Sequence, residues 1–320
     1  MRIASGYGLA TVTPEGTVLD VWYPNPGLGP LADNDGPVTA VELATYESHD
    51  DVRNIDVRFT ETEVDLDAAP ADSADAYLRL HLLSHCVVQP NTINLSDLMG
   101  HLANVVWTDH GVCAAAEFTA IQLRARRAFG HPLNVLSIDR FPRMLDHVQP
   151  EGVRISAAAS VRLGAHLAPG TTVMPSGFVN FNAGTLGPAM VEGRISQGVV
   201  VGKNSDIGGG ASTMGTLSGG GKERVSLGEN SLLGANAGVG ISLGNDCIVE
   251  AGLYVTAGMK VLVRDPQGLA PDLVDGSTMT ARDLSGRDNV LFLRNSATGV
   301  VEARIRPGHG IELNEALHKN

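Results

Sequence analysis

Between about Val153 and Val261, aliphatic side chains recur every six residues, and this count constrains the fold of the 320-residue chain more than any other feature. They stand at Val161, Leu167, Val173 and Val179, miss at Thr185 and return at Val191. The ladder restarts four residues later at Ile195, Val201 and Ile207. After a glycine-rich break it resumes at Leu227, Leu233 and Val239, then slips by four again to Leu243, Val249, Val255 and Val261. Neither the period of a helix, about 3.6 residues, nor that of an open strand, about two, produces such spacing.

A chain that turns a corner every six residues needs glycine and asparagine where φ is positive, and it sends one aliphatic side chain per face into a narrow interior. The stretches LGAHLAPGTTVMPSG, VVVGKNSDIGGG and LGENSLLGANAGVG supply both. Three faces make a triangular coil of about 18 residues, stacked on the next at roughly 4.8 Å through parallel backbone hydrogen bonds. The expectation is a mainly β protein built on a left-handed parallel β-helix. A β-sandwich with glycine-rich turns has no reason to keep a six-residue count. Composition agrees, because 38 glycines serve the corners and a chain that is 43% hydrophobic but 4% aromatic suits an interior of Val, Leu, Ile and Ala.

The flanks follow other patterns. Residues 1–148 read as an N-terminal α/β domain, 149–262 as the β-helix and 263–320 as a short C-terminal β segment that caps it. GYGLATVTPEGTVLDVWYP alternates around Pro14, Glu15 and Gly16, which predicts a β-hairpin. A strand is expected from Val52 to Phe59 or slightly beyond, and a helix from a cap at Asp72, Ser73 or Asp75 to about Val87, with Tyr77, Leu78, Leu80 and Leu82 buried. Further helices are expected over 96–104 and 117–129, the latter carrying Arg124, Arg126 and Arg127 on a solvated face, and VVWTDHGVCA and LNVLSID hold strand patterns. Beyond Val261, residues 263–278 read as an acidic loop, NVLFLRNSATGVVEARI as a strand pair turned at 295–299, and GIELNEALHKN as a short terminal helix.

A net charge of −12 and a pI near 5.2 argue against nucleic acid or an anionic membrane as partner, since both need clustered Lys and Arg. Cys86, Cys113 and Cys247 are isolated and odd in number, as in a reducing compartment. No apolar leader follows Met1-Arg2 and no apolar run reaches membrane length, so the expectation is a soluble, cytoplasmic protein. His81 and His85 have the spacing of a metal pair, but no third ligand is spaced with them, and no metal is assigned.

Charged residues are scarce in the repeat, so those at a register break stand out. Glu192 and Arg194, in MVEGRIS, sit where the rung count slips by four. The stretch 208–221, GGGASTMGTLSGGG, interrupts the ladder, and a loop that long inside a β-helix points to function. Its glycines allow close backbone approach to a carbonyl, an amide or a phosphate, yet it matches neither a Walker loop nor a dinucleotide fingerprint. A zinc hydratase on this scaffold needs three histidines, and the repeat holds only His166. Acyl transfer from CoA to an amine needs no triad: a positioned thioester, a base and oxyanion dipoles suffice.

Taken together, YLRLHLLSH, NVVWTDHG, RFPRMLDHV, GFVNFNAGTLGPAMVEGRIS, GGGASTMGTLSGGG, LLGANAGVGISLGNDCIVEAGLYVTAG and LFLRNS resemble the actinobacterial type of tetrahydrodipicolinate N-succinyltransferase. The resemblance runs from about Ala74 to the C-terminus. It implies a homotrimer with active sites in the grooves between subunits, succinyl-CoA and tetrahydrodipicolinate as substrates, CoA as product, no tightly bound cofactor, and a step toward diaminopimelate and lysine. It makes Glu192 the catalytic carboxylate, as base or as transient acyl acceptor. Its acyl-CoA contacts fall on Arg194, Gly209, Ser212, Ala235, Glu250, Ala251, Gly258, Leu293, Arg294, Asn295 and Ser296.

Two departures qualify it. Where some relatives carry acidic ligands for a divalent ion on the trimer axis, this chain has Ala159 and Ser176, so no metal is expected there. A lysine of the relatives falls on Thr280, which removes one contact to a CoA phosphate. Another CoA-dependent N-acyltransferase on the same scaffold, and a non-catalytic β-helix that scaffolds partners, stay open as alternatives.

Overall fold

The computed structural model describes residues 2–34, 36–219 and 222–308; the terminal helix expected at GIELNEALHKN falls outside them. The chain divides after Gln149 into two compact units.

In the first unit the expected hairpin forms, with Ile3–Val12 antiparallel to Val18–Trp22. Ile55–Asp65 pairs along the other edge of Ile3–Val12, from Ile3 opposite Asp65 to Val12 opposite Asp56. That strand, expected from Val52 to Phe59 or slightly beyond, begins three residues later, because Asn54 takes a left-handed φ of 56° and ends the preceding turn there, and it runs on to Asp65. The helix Ser73–Ser84 is capped by Asp72, whose side chain accepts from the Asp75 N–H, and it ends three residues before the expected Val87. Every residue from Asp75 to Ser84 is buried, so the helix has no solvated face and carries Arg79 and His81 inside with the leucines. The helix expected over 96–104 is only a 3-10 turn, Leu98–His101, entered through Asp97 at φ 56°. A second sheet places Val105–Thr108 between Gly111–Ala114 and Val135–Asp139. The helix Phe118–Phe129 follows and stops at Gly130, at φ 79°. Arg126 and Arg127 are exposed as expected, whereas Arg124 is half-buried and its Nε donates to Val52 O at 2.8 Å.

Buried charge in this unit is paired. Arg79, fully buried, donates through Nε to Asp75 Oδ1 at 2.6 Å and through its terminal nitrogens to the carbonyls of Asn94 at 2.7 Å and Asp65 at 2.9 Å. One guanidinium thus joins the helix, the end of a strand and a loop, which satisfies donors that would otherwise cost several kcal/mol each.

The second unit is the left-handed parallel β-helix. Its first face stacks Arg154–Ile155, Thr171–Val173, Ala189–Val191, Ser205–Ile207, Leu232–Leu233 and Ile248–Val249. The second face stacks Phe178–Val179, Arg194–Ile195, Ser212–Thr213, Gly238–Val239 and Tyr254–Val255, and the third stacks His166–Leu167, Gly184–Thr185, Val200–Val201 and Ser226–Leu227. All the aliphatic rungs from Val161 to Val261 are buried, none more than 3% exposed. The count slips are coil-length changes: Thr171 pairs with Ala189 across 18 residues, Ala189 with Ser205 across 16, and Asp206 with Leu232 across 26.

The glycine-rich break is shorter than the expected 208–221. Gly208 to Gly210 form an ordinary corner and Ser212–Thr213 is a regular strand, so the insertion lies within 214–225, and among its described residues Thr216 bridges Arg224. Thr213 fills the missing rung and Thr185 the earlier gap, both fully buried. Their hydroxyls are bonded, Thr185 Oγ1 to Thr171 Oγ1 at 2.6 Å and Thr213 Oγ1 to Arg194 O at 3.1 Å, so a threonine can occupy a rung without an orphaned polar atom.

After the last coil, Val290–Arg294 pairs in parallel with Ile248–Val249 and so continues the first face, and Val301–Ile305 folds back antiparallel to it. Lys260–Arg264 and Thr278–Thr280 complete that sheet. The intervening loop is ordered by the buried Asp265, which accepts from the N–H groups of Leu269 at 2.9 Å and Ala270 at 2.8 Å.

Candidate active site

The corner between first and second faces collects most of the residues singled out in the sequence. Val191, Ile207, Leu233, Val249 and Phe292 are in register on successive strands, so Glu192, Gly208, Gly234, Glu250 and Leu293 follow one another along one edge of the prism. Gly209, Ala235 and Ala251 take the next place on that edge. At roughly 4.8 Å per coil, Glu192 and Leu293 are about 19 Å apart along it. Between Glu192 and Glu250 the edge carries only glycine and alanine, at Gly208, Gly209, Gly234 and Ala235, a shape that admits a long, thin ligand.

Glu192 is half-buried at the corner itself. Its N–H donates to Ile207 O at 2.8 Å, and the Ser176 hydroxyl donates to its carbonyl at 3.0 Å, so the backbone is held from the coils on either side. Gly209 lies beside the carboxylate: a Cβ there would stand 3.5 Å from Glu192 Oε2, in ordinary van der Waals contact. Arg194 is exposed on the adjoining second face, and its Nε donates to Ser212 Oγ at 3.0 Å. Glu250 Oε2 accepts from the Arg294 N–H at 2.7 Å, which ties the C-terminal strand to the edge. Asn295 and Ser296 lie in the hairpin turn beyond, where Asn295 donates to Glu302. Gly258 is not on this edge: it follows Tyr254–Val255 at the opposite end of the second face.

The structure adds a residue that the sequence did not single out. Asp206 stands in register between Met190 and Leu232 on the outward side of the first face, one coil on from Glu192. Its Oδ1 is buried with no hydrogen-bond partner among the described residues. Burial, and secondarily the negative charge of Glu192, push its carboxyl up to about 6. A mid-strand aspartate in a glycine-rich repeat looks like a corner residue by sequence; only the 16-residue coil step brings it beside Glu192.

Ala159 and Ser176 offer no carboxylate, and the Ser176 hydroxyl is engaged with Glu192, so this pair does not suit a divalent ion. Among the described residues no group of three or more His, Cys, Asp or Glu is placed to hold a metal. Thr280 instead caps the turn Ala281–Leu284 through a reciprocal pair of bonds with Asp283. No helix among the described residues is long and apolar enough to cross a membrane.

Comparison with known proteins identifies the family. Residues 102–143 match the model described as tetrahydrodipicolinate N-succinyltransferase middle, and residues 224–257 that of the hexapeptide repeat of succinyl-transferase. The chain is 47% identical to a 2,3,4,5-tetrahydropyridine-2,6-dicarboxylate N-succinyltransferase of Pseudomonas aeruginosa, over 98% of this chain and 96% of that protein. It is likewise 47% identical to the protein of the same name from Pseudomonas paraeruginosa, with the same coverage. A crystal structure from Campylobacter jejuni, described as a 2,3,4,5-tetrahydropyridine-2-carboxylate N-succinyltransferase, superposes with a TM-score of 0.80 at 30% identity, over 94% of this chain and 92% of that one. The prism, its glycine-rich edge and near-full-length identity to these enzymes place the chain in the tetrahydrodipicolinate N-succinyltransferase family.

Proposed function

We propose that the chain transfers the succinyl group of succinyl-CoA to the amine of ring-opened tetrahydrodipicolinate, giving N-succinyl-2-amino-6-oxopimelate and CoA, in diaminopimelate and lysine biosynthesis. The observation that carries the site assignment is the single edge on which Glu192, Gly209, Ala235, Glu250, Ala251 and Leu293 succeed one another. An extended acyl-pantetheine arm lies along that edge, with the thioester at Glu192 and the arm leading toward Leu293, Arg294, Asn295 and Ser296. Gly258 contacts CoA from the far side of the second face.

The acceptor arrives as an ammonium ion and must lose a proton before it attacks. Glu192 takes that proton, and Asp206, one coil on, gives the cation a second carboxylate. The free amine adds to the thioester carbonyl; as the tetrahedral oxyanion collapses and the C–S bond breaks, the proton held by Glu192 passes to the departing sulfur, the freed carboxylate takes the second amine proton, and CoA leaves as the thiol. Arg194, exposed and fixed at Nε by Ser212, receives the distal carboxylate of the succinyl group on its terminal nitrogens. Two equivalent prisms beside this one, in a cytoplasmic homotrimer, would close the open side of the edge and exclude water from the thioester.

Replacing Glu192 with Gln tests the assignment. Turnover should fall by roughly 10²–10⁴-fold, the range for loss of a general base, while the succinyl-CoA KM and the melting temperature hold. Near-normal turnover in Glu192→Gln would remove Glu192 from the chemistry. Hydroxylamine trapping in the absence of acceptor separates proton transfer, which leaves Glu192 unmodified, from acyl transfer through a Glu192 anhydride.

A further inference from the structure

Tyr254 lies outside every role so far assigned, yet the second face is arranged around it. Phe178, Arg194, Ser212, Gly238 and Tyr254 form one outward column, each in register with the next. A Cβ on Gly238 would collide with the Tyr254 ring, so the ring lies back across that glycine instead of projecting from its own coil. This brings the phenol oxygen to 3.3 Å from Ser212 Oγ, which itself accepts from Arg194 Nε at 3.0 Å. Three side chains from three coils are thereby joined in series, and the series ends at the exposed guanidinium.

We propose that Tyr254 is a positioning residue for acyl-chain selectivity: through Ser212 it fixes the orientation of Arg194 toward the distal carboxylate of a dicarboxylic acyl thioester. The proposal rests on the reading of Arg194 given above. A serine hydroxyl rotates freely about its Cα–Cβ bond and has one proton. With the Arg194 Nε–H entering one lone pair, the Ser212 hydroxyl keeps its proton and a second lone pair, and the phenol hydroxyl engages one of them, as acceptor or as donor. That leaves Ser212 Oγ aimed at Nε, and the planar fork of Arg194, anchored at Nε, presents its two terminal nitrogens in one orientation. Without the phenol oxygen the serine is free to rotate, and the fork loses its anchor but not its charge. The effect falls on recognition of the acyl carboxylate and not on the chemistry at Glu192.

The discriminating experiment measures kcat and KM with succinyl-CoA and with acetyl-CoA, which lacks the distal carboxylate, for Tyr254→Phe, Ser212→Ala, the double variant and Arg194→Gln. Tyr254→Phe keeps the ring over Gly238 and should raise the succinyl-CoA KM about fivefold with kcat within twofold, leaving acetyl-CoA and acceptor KM unchanged. Ser212→Ala should give a similar loss and the double variant no further one, since both break the same series. Gly238→Ala, which displaces the ring while keeping the hydroxyl, should reproduce the shift. Wild-type succinyl-over-acetyl preference in Tyr254→Phe, with that preference lost in Arg194→Gln, overturns the role of Tyr254 alone. Wild-type preference in Arg194→Gln overturns the reading of Arg194 and the proposal with it.

Discussion

The helix Ser73–Ser84 of the N-terminal unit buries an arginine, an aspartate and a histidine, whereas the rungs of the coil bury aliphatic side chains and threonines whose hydroxyls are already bonded. The first arrangement concentrates stability in a few groups that must be charged or neutral in the right combination. The second spreads it over many equivalent steps, each contributing about 1.5–3 kcal/mol and each dependent only on the coils next to it. One region is thus sensitive to single polar changes and to pH, and the other to single losses of volume. Both tryptophans, Trp22 and Trp107, belong to the N-terminal unit, so tryptophan fluorescence reports on it alone, while hydrogen exchange of peptides from 153–261, followed through denaturation, reports the coil transition.

The largest effect is expected at Arg79. Arg79→Met keeps much of the volume but leaves Asp75 buried at 7% side-chain exposure without its counter-charge, and removes donors from the carbonyls of Asn94 and Asp65. Loss of one partner of a buried pair costs about 3–5 kcal/mol. The denaturation midpoint read by tryptophan fluorescence should fall accordingly while the coil transition stays in place; an unchanged fluorescence transition would show that the pair is dispensable. In the coil, Val249→Ala should cost about 2 kcal/mol, from lost burial and the cavity left behind. It should move the coil transition read by hydrogen exchange and leave the fluorescence transition alone, and the reverse pattern would show that the lost volume is felt in the other unit.

How far each region could be read from its sequence follows from the same contrast. In the coil a rung has one neighbour above and one below, so a six-residue count of aliphatics located the buried positions directly. It failed only where the interior accepts threonine: Thr213 made an ordinary corner at Gly208 to Gly210 look like the start of a long loop, and the insertion is confined to 214–225. In the N-terminal unit, Arg79 and His81 are buried for tertiary reasons that no local period records, and Asp97 turns an expected helix into a single 3-10 turn by taking a left-handed conformation. Of the proposed site, Glu192 and Arg194 are marked in the sequence by the MVEGR string. Asp206 and Tyr254 are not, because their significance lies in coil register, which depends on the lengths of the intervening coils.

The pH response sharpens the contrast further. His81 Nδ1 donates to Tyr77 O at 2.8 Å, and its Nε2 is buried without a partner among the described residues. Rings of Tyr23, His85 and His147 face it, with Asp20 behind His147. Burial first, and then the repulsion of His147, hold the His81 imidazole well below its usual value. The unfolded chain therefore binds a proton near pH 6.5 that the folded one refuses, so stability is lost as pH falls below about 6.5 and is unaffected above it. The fluorescence-detected melting temperature should fall through this window. His81→Phe, which keeps a planar ring and removes the titrating group, should flatten the fall, and an acid limb of undiminished slope would assign it to other groups.

Asp206 gives the coil a pH dependence of the opposite sign. Its folded value of about 6 lies above the ordinary aspartate value of 3.8, so above pH 6 the ionised carboxylate opposes folding, and as pH falls through 6 the folded state gains a proton and with it stability. Asp206→Asn mimics the protonated form. It should raise the coil's melting temperature by a few degrees at pH 8, and the gain should vanish below about pH 4, where Asp206 is protonated in both states. The same variant should raise the acceptor KM severalfold, because the ammonium then meets only Glu192. A stabilised protein that binds its acceptor less well would mean that the coil gives up stability at Asp206 for the sake of the site. A stabilised protein with unaltered kinetics would leave that buried carboxylate without a part in the reaction.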